Sequence, residues 1–407
     1  MRIAEINMVT TGSTGKIMLD VAKLARARGH IVKTFSTHLF SIKYQKLPKA
    51  PEGHEYFGCY LDNALHYVLS SRLGKNGTHS KLTTLSLIRK LKKFNPDVVH
   101  LHNLHKFCIN FSMLFKYLKK SGVKVFWTLH DCWAFTGHCP NFDMVKCTKW
   151  QSGCYNCSQL SNYPKEMRDT SRYMYEKKKE WFSSLDNLTF IAPSEWLNDK
   201  VKQSFLREYP VKTIKNGIDL SIFKPIDSDF RNAYELKNKK IVLAVADVWS
   251  ERKGLDAVCE IAKNLGNDYA LVVVGVNEET EKMLPESVIA IRHTNSQSEL
   301  AEIYSSADVF INPTREEVLG LVNLEALACG TPVITYNTGG SPETIDEKSG
   351  IVVDKNDIDA MLNAIKYVCE DKPFKIEDCV SRAKEFDKDK KFLEYVKLYE
   401  SWVKDIE

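Results

Sequence analysis

Short, largely continuous apolar runs recur along this 407-residue chain, and a stretch with helical character follows most of them. Val123–Leu129, Ile241–Ala246 and Asp308–Asn312 are examples of such runs. Continuous apolar runs are typical of parallel strands that are buried on both faces, whereas half-exposed strands alternate apolar and polar residues. Strands that alternate with helices therefore predict an α/β fold with Rossmann-like parallel sheets.

The same reading gives two successive α/β halves. The predicted strands are Arg2–Asn7, Ile31–Ser36, Pro96–His102, Val123–Leu129, Ile241–Ala246, Ala270–Gly275 and Asp308–Asn312. The predicted helices are Lys16–Arg28, Ser112–Lys120, Leu255–Leu265, Glu299–Ser305, one near Val322, and a final helix from about Ile376 to Val403. Lys215–Asp219 and Phe223–Pro225 indicate the crossing between the halves. We expect domains at 1–218 and 219–385, with the C-terminal helix, about 386–407, packing back on the first.

Charge is distributed unevenly between these halves. Residues 1–218 carry 34 Lys or Arg and 16 Asp or Glu, a net charge of +18, whereas residues 219–407 carry 23 and 36, a net charge of −13. Such asymmetry indicates different partners for the two halves. The basic half could face an anionic membrane, a phosphorylated acceptor or nucleic acid, or it could be a solvated lysine-rich surface. We expect no nucleic acid as a partner, because no recognition motif is visible.

The N-terminal sequence begins at once with a strand-like run and contains no apolar segment of the kind that a signal peptide needs. No stretch approaches the roughly 20 apolar residues of a membrane-spanning helix. The sequence therefore predicts a cytoplasmic protein that could touch the cytoplasmic face of the inner membrane.

Two glutamates in the second half form the most informative motif. Glu317 and Glu325 have seven residues between them, and the pattern places the first in a loop and the second in the opening turns of a helix. The amides near Gly320 and Leu321 would begin that helix, and a helix N-terminus favours negative charge. Carboxylates accept hydrogen bonds from sugar hydroxyls, so the segment suits a ligand that carries both phosphate and hydroxyl groups. The alternative is an amphipathic helix with two surface carboxylates.

Three further loops follow predicted strands, where ligands of open α/β sheets bind. Thr10–Lys16 contains Gly12 and Gly15 and could approach a phosphate or sugar, although it is not a Walker A loop and could be a plain turn. His130 could hydrogen-bond a sugar or move a proton, with the adjacent Asp131 orienting it, or it could be a buried, satisfied histidine. Arg252 and Lys253 beside a helix start would suit a diphosphate, or they could lie in a solvated turn.

Taken together, these segments resemble the GT-B glycosyltransferases of the large retaining family four, also called group 1. The motifs that carry the resemblance are Gly29-His30, Pro96–His100, Thr128–Asp131, Asn216–Asp219, Arg252–Gly254, Ala307–Pro313, Glu317–Glu325 and Gly339–Glu343. They span nearly the whole chain. Trp133–Gly137, with the spaced cysteines after it, resembles a subgroup found in bacterial surface-polysaccharide clusters.

The resemblance implies two Rossmann-like domains that face each other across a cleft, with 1–218 on the acceptor side and 219–385 binding the donor. It implies transfer of a hexosyl group from a nucleotide sugar, with retention, to a glycan or lipid-linked acceptor in surface-polysaccharide synthesis. Glu317 would bind hydroxyls of the donor sugar, Glu325 the ribose, and Lys253 the diphosphate, together with the amides near Gly320 and Leu321.

It also implies that His130 lies over the donor sugar and that the Gly12–Gly15 loop borders the acceptor and the phosphates. One position departs from the family pattern. Family members usually have Gly-Arg at the end of the strand before the lysine, whereas this chain has Ala246-Asp247. Arg252 would have to substitute for that arginine at the diphosphate.

No cofactor is expected for catalysis. Glycosyltransferases of the other major fold hold a metal with Asp-x-Asp, and this pattern occurs at Asp227–Asp229, Asp357–Asp359 and Asp387–Asp389. None of the three follows a buried strand, so we interpret them as surface residues. Cys139, Cys147, Cys154 and Cys157 could hold a structural zinc in a long polar loop, or they could be free thiols. Cys154 and Cys157 have the spacing of one zinc knuckle, but the gap between Cys139 and Cys147 is too long for a second.

Ser80–Lys93 combines apolar and basic residues on one predicted helix. This helix could rest on anionic lipid near a lipid-linked acceptor, or it could be a core helix with a basic outer face. Two rivals to transfer remain at this level: a nucleotide-sugar epimerase-like enzyme, and a scaffold that binds a nucleotide sugar without turnover. A dinucleotide-dependent oxidoreductase is disfavoured, because no Gly-x-Gly-x-x-Gly follows the first strand.

Overall fold

A computed structural model describes residues 1–37 and 49–404, without the side chains of 403 and 404. The chain forms two compact units. Unit 1 is Met1–Ile214 together with the segment from Phe392 onward, and unit 2 is Lys215–Lys391. The domain boundaries expected at 218/219 and about 385/386 lie a few residues from the observed unit boundaries at 214/215 and 391/392.

Unit 1 contains one sheet in which every strand pair is parallel. Its strand order is β3-β2-β1-β4-β5-β6-β7. The strands are β1 (Arg2–Ile6), β2 (Ile31–Thr37), β3 (His54–Phe57), β4 (Val98–Leu101), β5 (Lys124–Thr128), β6 (Leu188–Ala192) and β7 (Val211–Thr213). The helices between them are α1 (Gly12–Ala27), α2 (Tyr60–Leu73), α3 (Lys81–Phe94), α4 (Phe111–Ser121), α5 (Ser171–Phe182) and α6 (Glu195–Lys202).

Unit 2 repeats this plan with a parallel sheet in the order β10-β9-β8-β11-β12-β13. The strands are β8 (Lys240–Val245), β9 (Tyr269–Val274), β10 (Ile289–Ile291), β11 (Val309–Asn312), β12 (Val333–Tyr336) and β13 (Gly350–Val353). The helices are α7 (Phe230–Ala233), α8 (Leu255–Asn264), α9 (Glu278–Glu281), α10 (Gln297–Ser306), α11 (Leu321–Ala328), α12 (Ile358–Asp371) and α13 (Ile376–Lys384). Helix α14 (Lys388–Lys404) follows and crosses into unit 1.

The core of unit 2 explains why its strands are continuous apolar runs. Ile241 and Leu243 of β8 pack into one buried cluster, whereas Val242 and Ala244 pack into a second. Successive side chains of a strand point to opposite faces, so both faces of this sheet are covered. The predicted α/β fold with parallel sheets is confirmed.

The predicted single helix from about Ile376 to Val403 is wrong. The structure divides it into α13 and α14, with residues 385–387 between them. Here the backbone pairs with residue 218 instead of continuing the helix: Ile218 N donates to Phe386 O (2.7 Å), and Lys388 N donates to Ile218 O (3.0 Å). Beyond the break, α14 buries Phe392, Tyr395, Val396 and Tyr399 in the core of unit 1.

Helix α3 has the character of a core helix. Leu87, Ile88 and Leu91 are buried, whereas Leu82 and most of the basic side chains are exposed. The described part of the chain, 1–37 and 49–404, has no helix that is both long and apolar enough to cross a membrane.

Candidate functional site

Each sheet has one point at which the strand order reverses, between β1 and β4 in unit 1 and between β8 and β11 in unit 2. Ligands of open α/β sheets bind outside the carboxyl ends of the strands at such a point. In unit 2 the loop after β8 carries Arg252 and Lys253, and the loop after β11 carries Glu317. The topology therefore brings the predicted cations and the first predicted carboxylate to one edge of the sheet.

Lys253 and Glu317 form an ion pair at this edge. Lys253 Nζ lies 2.6 Å from Glu317 Oε2, and both side chains are about four-fifths buried. Burial by itself raises the pKa of Glu317, but the attraction and hydrogen bond of Lys253, the charge of Arg252 and the amide of Val318 together lower it. Glu317 is thus held ionised in a partly desolvated position.

Backbone contacts fix the two loops to each other. Arg315 N donates to Arg252 O (2.9 Å), and a Cβ on Gly254 would lie 2.2 Å from Pro313 O. The Arg315 guanidinium donates to both carboxylate oxygens of Asp256 (2.6 and 2.7 Å) and to Glu251 O (2.6 Å). This fork-like contact ties the loop after β11 to the start of α8.

Gly339 allows a third loop to approach Glu317. Its φ is +56°, and an added Cβ would lie 1.7 Å from Glu317 O, so no other residue fits without a backbone shift. Gly340 N donates to the same carbonyl oxygen (3.2 Å). The main chain at Glu317 is therefore held from two sides, by the loop after β8 and the loop after β12.

Gly320 caps α11 in a left-handed conformation, with φ +90°, and Leu321 is the first helical residue. Beside it, Ser341 Oγ is buried without a hydrogen-bond partner, and so is Thr338 Oγ1. A Cβ on Gly320 would lie 3.2 Å from Ser341 Oγ. Buried hydroxyls without partners are uncommon, and the position of Ser341 Oγ next to a helix N-terminus suits a polar ligand.

Glu325 lies one turn into α11, half-buried, and its Oε2 accepts a hydrogen bond from Tyr304 OH of α10 (3.1 Å). Burial first, and then the Glu325 charge, raise the pKa of Tyr304, so this hydroxyl remains a donor.

Arg252 directs Nη1 to Glu316 O (3.3 Å). Asp247, where the family pattern has arginine, is exposed just beyond β8.

In unit 1, His130 is oriented by a chain of buried side chains and not by Asp131. His130 Nε2 lies 3.1 Å from His102 Nδ1, and His102 Nε2 lies 2.9 Å from Glu5 Oε2. Asp131 instead lies 2.8 Å from His105 Nε2 and accepts from Trp133 N (2.9 Å). The predicted pairing of His130 with its neighbour is wrong, because Asp131 is engaged by His105 and by the turn that follows.

Burial lowers the pKa of His130 well below its ordinary value and that of His102 to about 4, so both rings are neutral near pH 7. Burial would raise the pKa of Glu5, but contacts with His100 and His102 lower it to about 2. Tyr399 of α14 also donates to Glu5 Oε1 (3.1 Å). Sequence reasoning missed Glu5 as part of this network. The available signal was the spacing of His100 in β4 and His102 directly after it, two positions apart.

Groups of three or more His, Cys, Asp or Glu side chains are potential metal ligands. Among residues 1–37 and 49–404, one such group has all its ligand atoms within 4.8 Å of one another, and it consists of Glu5, His100 and His102. Their atoms already pair with each other and with Thr128 and Tyr399. We therefore interpret the set as a hydrogen-bond network that supports the β4–β5 edge.

The glycine-rich loop of unit 1 leads directly into α1. Gly15 packs against the chain itself, since a Cβ there would lie 2.4 Å from the carbonyl carbon of Thr10. Gly12, with φ +69°, is exposed and has open space around it. The two predicted glycines thus differ: Gly15 closes the turn, and Gly12 is the one that a ligand could approach.

The four cysteines of the predicted zinc site line one small cavity in the loop between β5 and α5. Cys139 and Cys157 share a hydrogen bond, which raises the pKa of Cys139 and lowers that of Cys157 to about 6.

The three Asp-x-Asp patterns lie at the surface, as predicted: five of the six aspartates are exposed, and Asp387 is half-buried. Asp357 caps α12 by accepting from Ala360 N (2.8 Å).

Two family profiles match this chain. The profile described as Glycosyltransferase Family 4 matches residues 14–222, and the profile described as Glycosyl transferases group 1 matches residues 227–386. Together they extend over both units.

Curated relatives match over part of their length. The putative colanic acid biosynthesis glycosyl transferase WcaC of Escherichia coli K12 is 26% identical over 271 residues, 65% of each chain. A GDP-mannose-dependent α-(1-6)-phosphatidylinositol monomannoside mannosyltransferase of Mycolicibacterium smegmatis is 32% identical over 203 residues, 44% of this chain and 52% of the relative. The chain thus spans about half to two thirds of the length of these relatives.

Solved structures match the whole chain. Sucrose-phosphate synthase from Thermosynechococcus elongatus has a TM-score of 0.74 at 18% identity and covers 99% of both chains. Anabaena HepE in complex with UDP-glucose has a TM-score of 0.67 at 15% identity and covers 98% of this chain and 100% of its own. At such low identity these likenesses show the fold.

Proposed function

The chain belongs to glycosyltransferase family 4, the group 1 glycosyltransferases, and from that membership we propose that it transfers a hexosyl group from a nucleotide sugar. The acceptor is a glycan or a lipid-linked sugar of a surface polysaccharide or glycolipid, and the anomeric configuration is retained. The observation that carries the proposal is the convergence of Lys253, Glu317 and the α11 N-terminus at the β8/β11 edge.

Each part of this edge suits one part of a nucleotide sugar. A diphosphate takes a cation and backbone amides, which Lys253 and the first turn of α11 supply. Sugar hydroxyls donate to carboxylates, and Glu317 is held ionised for that role. Glu325 lies further along α11 and would accept from the ribose. The buried hydroxyls of Ser341 and Thr338 would gain partners on a bound ligand.

In the proposed reaction the bond between the anomeric carbon and the diphosphate oxygen breaks, and the acceptor oxygen bonds to that carbon on the same face. The acceptor proton leaves with the nucleoside diphosphate. Negative charge develops on the leaving diphosphate, so a fixed cation and fixed amides stabilise the transition state more than the ground state. His130, which is neutral in its buried network, is proposed as a hydrogen-bond partner of the donor sugar. We assign no catalytic step to a metal.

The acceptor side of the proposal draws on the surface of unit 1. Leu61, Leu65 and Val68 of α2 are exposed and lie on one helix face at helical spacing, with Arg72 and Lys75 exposed at its end. Apolar and basic side chains together suit an anionic lipid surface. We assign the membrane contact to α2, because it exposes several large apolar side chains, whereas α3 exposes only Leu82. Replacing Leu61 and Leu65 by Glu should weaken binding to phosphatidylglycerol vesicles, whereas Met283→Glu, at an exposed position in unit 2, should not.

The direct test of transfer is an assay with UDP-, GDP-, ADP- and dTDP-sugars in the presence and absence of a polyprenyl-diphosphate-linked sugar. Release of nucleoside diphosphate together with a glycosylated lipid whose new bond keeps the donor's configuration supports the proposal. An altered nucleotide sugar formed without acceptor would instead indicate an epimerase-like enzyme. Binding without any turnover, across donors and acceptors, would indicate a scaffold.

A further inference from the structure

A long loop joins β5 to α5 and holds most of the cysteines of unit 1. Between Thr128 and Ser171 the regular structure is limited to the short 3₁₀ turns Trp133–Phe135 and Lys149–Gln151. Loops of this length inside a compact domain usually need some additional means of order. Aromatic packing orders part of this loop, since Phe142 stacks on Trp150 with ring centroids 4.7 Å apart.

Cys139, Cys147, Cys154 and Cys157 surround one cavity at the centre of this loop. The cavity measures about 30 Å³, room for a single small ion. Cys139 and Cys154 are buried, Cys147 and Cys157 are half-buried, and none of the four forms a disulfide in this structure. Residues up to 18 positions apart in sequence are thus gathered around a space of atomic size.

Polar groups surround the sulfurs of this cavity. Gly137 N donates to Cys154 Sγ (3.1 Å), a contact that stabilises a charged sulfur and orients it. Lys178 is 1% exposed, donates to Trp133 O (2.7 Å) and Thr136 O (3.0 Å), and lies close enough to Cys154 and Cys139 to interact with their charge. Lys149 also lines the cavity.

We propose that Cys139, Cys147, Cys154 and Cys157 bind one structural Zn²⁺. Four thiolates without an open position are a closed zinc set, and the spacing of Cys154 and Cys157 is that of a zinc knuckle. The set would carry a net charge of −2, which Lys178 and Lys149 would balance in part. In this structure no three of the four sulfurs lie within 4.8 Å of one another, so binding draws the cysteine side chains into the cavity by rotation.

His138 lines the same cavity. Its Nε2 lies 3.3 Å from Gln159 O, whereas its buried Nδ1 has no hydrogen-bond partner and lies 3.6 Å from Glu166 Oε2. We assign the four positions to the cysteines, because four thiolates complete a closed zinc set without it. The ion would hold the loop that begins directly after His130 and Asp131, where Cys132 N donates to Pro140 O (2.8 Å).

The test is the metal content of the full-length protein, purified under reducing conditions without metal-affinity chromatography. We expect one zinc per chain by plasma mass spectrometry, a fall in content for Cys147→Ser and Cys157→Ser, and no change for Cys59→Ser, whose thiol is exposed in the same unit. Removal of the ion with a chelator should lower the melting temperature of the wild type and of Cys59→Ser alike.

A second measurement on the wild type guards against variants that fail to fold. Co²⁺ added to chelator-treated protein should give the intense visible absorption of tetrahedral cobalt thiolate, and Zn²⁺ should displace it. Protein that holds less than a tenth of an equivalent of zinc and gives no cobalt spectrum would overturn the proposal. So would a disulfide between Cys139 and Cys157 in freshly purified protein, or iron in place of zinc.

Discussion

Lys253 and Glu317 each have a partner in this structure, namely each other, and a bound donor would offer both a better one. The diphosphate would take the ammonium and the sugar hydroxyls would take the carboxylate, so the 2.6 Å pair should part on binding. Before the ligand arrives, the ion pair keeps both the Lys253 ammonium and the Glu317 carboxylate ionised and in place.

Replacing Lys253 by Met should therefore remove a charge-assisted contact and weaken nucleoside diphosphate binding by about 10- to 100-fold. Isothermal titration with the diphosphate of the preferred base measures this. The control is Lys263→Met, which removes an exposed lysine of α8 that pairs with Glu260. Equal affinity in Lys253→Met and wild type would contradict the assignment of Lys253 to the diphosphate.

Gly339 allows a test that changes no charged group. Ala at this position would place Cβ within 1.7 Å of Glu317 O at a φ that L-residues rarely adopt. We expect a loss of stability of several kcal/mol or a displaced Glu317 loop with greatly reduced activity. Gly266→Ala, where nothing lies within 4 Å of the added Cβ, should leave the midpoint of urea unfolding and the activity unchanged. A fully active and equally stable Gly339→Ala would show that the loops are not held as described.

The meeting of Lys253 and Glu317 could be predicted because each lies in a loop that follows a strand, and the carboxyl ends of neighbouring parallel strands lie at one edge of the sheet. The Glu5–His102–His130 network could not be predicted in this way. Glu5 and His102 are 97 positions apart and meet only because β1 and β4 are neighbours in the sheet. The local reading paired His130 with Asp131 because it had no information on which strands are adjacent.

At the scale of elements, the site depends on how the loop after β11 is fixed to the start of α8. The Arg315 side chain makes that connection through Asp256, Glu251 and Asn356. A lysine cannot reproduce a planar fork, so Arg315→Lys should loosen the Glu317 loop and raise KM for the donor several-fold. The change in melting temperature should be small, because Asp256 is more than half exposed.

The matched control is Arg231→Lys. Arg231 pairs with Asp308 (2.6 Å) at the amino end of β11, the opposite end of the sheet from the site. This variant should keep the donor KM of the wild type. If both variants raised KM equally, the effect would come from general destabilisation and not from the position of the loop.

The break between α13 and α14 shows what element prediction from sequence misses. The residues around Phe386 favour helix locally, and the backbone leaves the helix only because residue 218 offers strand-like hydrogen bonds. Phe386 is then buried in the core of unit 2. A contact between residues 168 positions apart therefore overrides local preference, and no local pattern reports it.

At the scale of the whole molecule, the two units should respond differently to acid. Ten of the eleven histidines lie in the part of the sequence that forms unit 1, whereas unit 2 contains only His293, which is exposed. Burial lowers the pKa of His54 and His102 to about 4 and that of His66 to about 3. The unfolded chain binds protons at these sites from pH 6.5 downward, and the folded chain does not.

Protons therefore favour the unfolded form of unit 1 between about pH 6.5 and pH 4, and stability falls as the pH is lowered through that range. For the fully buried His102 alone the effect is at most about 3 kcal/mol. The lowered pKa of Glu5 adds nothing here, since its contribution is lost only below about pH 4.5. Hydrogen exchange followed by mass spectrometry should show faster opening of unit 1 peptides at pH 5 than at pH 7. Unit 2 opening first would contradict this account.

The central claim is that unit 2 binds a nucleotide sugar at the β8/β11 edge, and a thermal-shift screen tests it most directly. Wild type, Glu325→Ala and the surface control Glu286→Ala are melted with UDP-, GDP-, ADP- and dTDP-sugars. A ligand that binds only the folded state raises the melting temperature. At a ligand concentration of a hundred times Kd, it adds about 2.7 kcal/mol to the free energy of unfolding. The account predicts one nucleotide sugar that stabilises wild type and Glu286→Ala but not Glu325→Ala. Equal stabilisation of all three proteins, or no stabilisation by any nucleotide sugar, would contradict it.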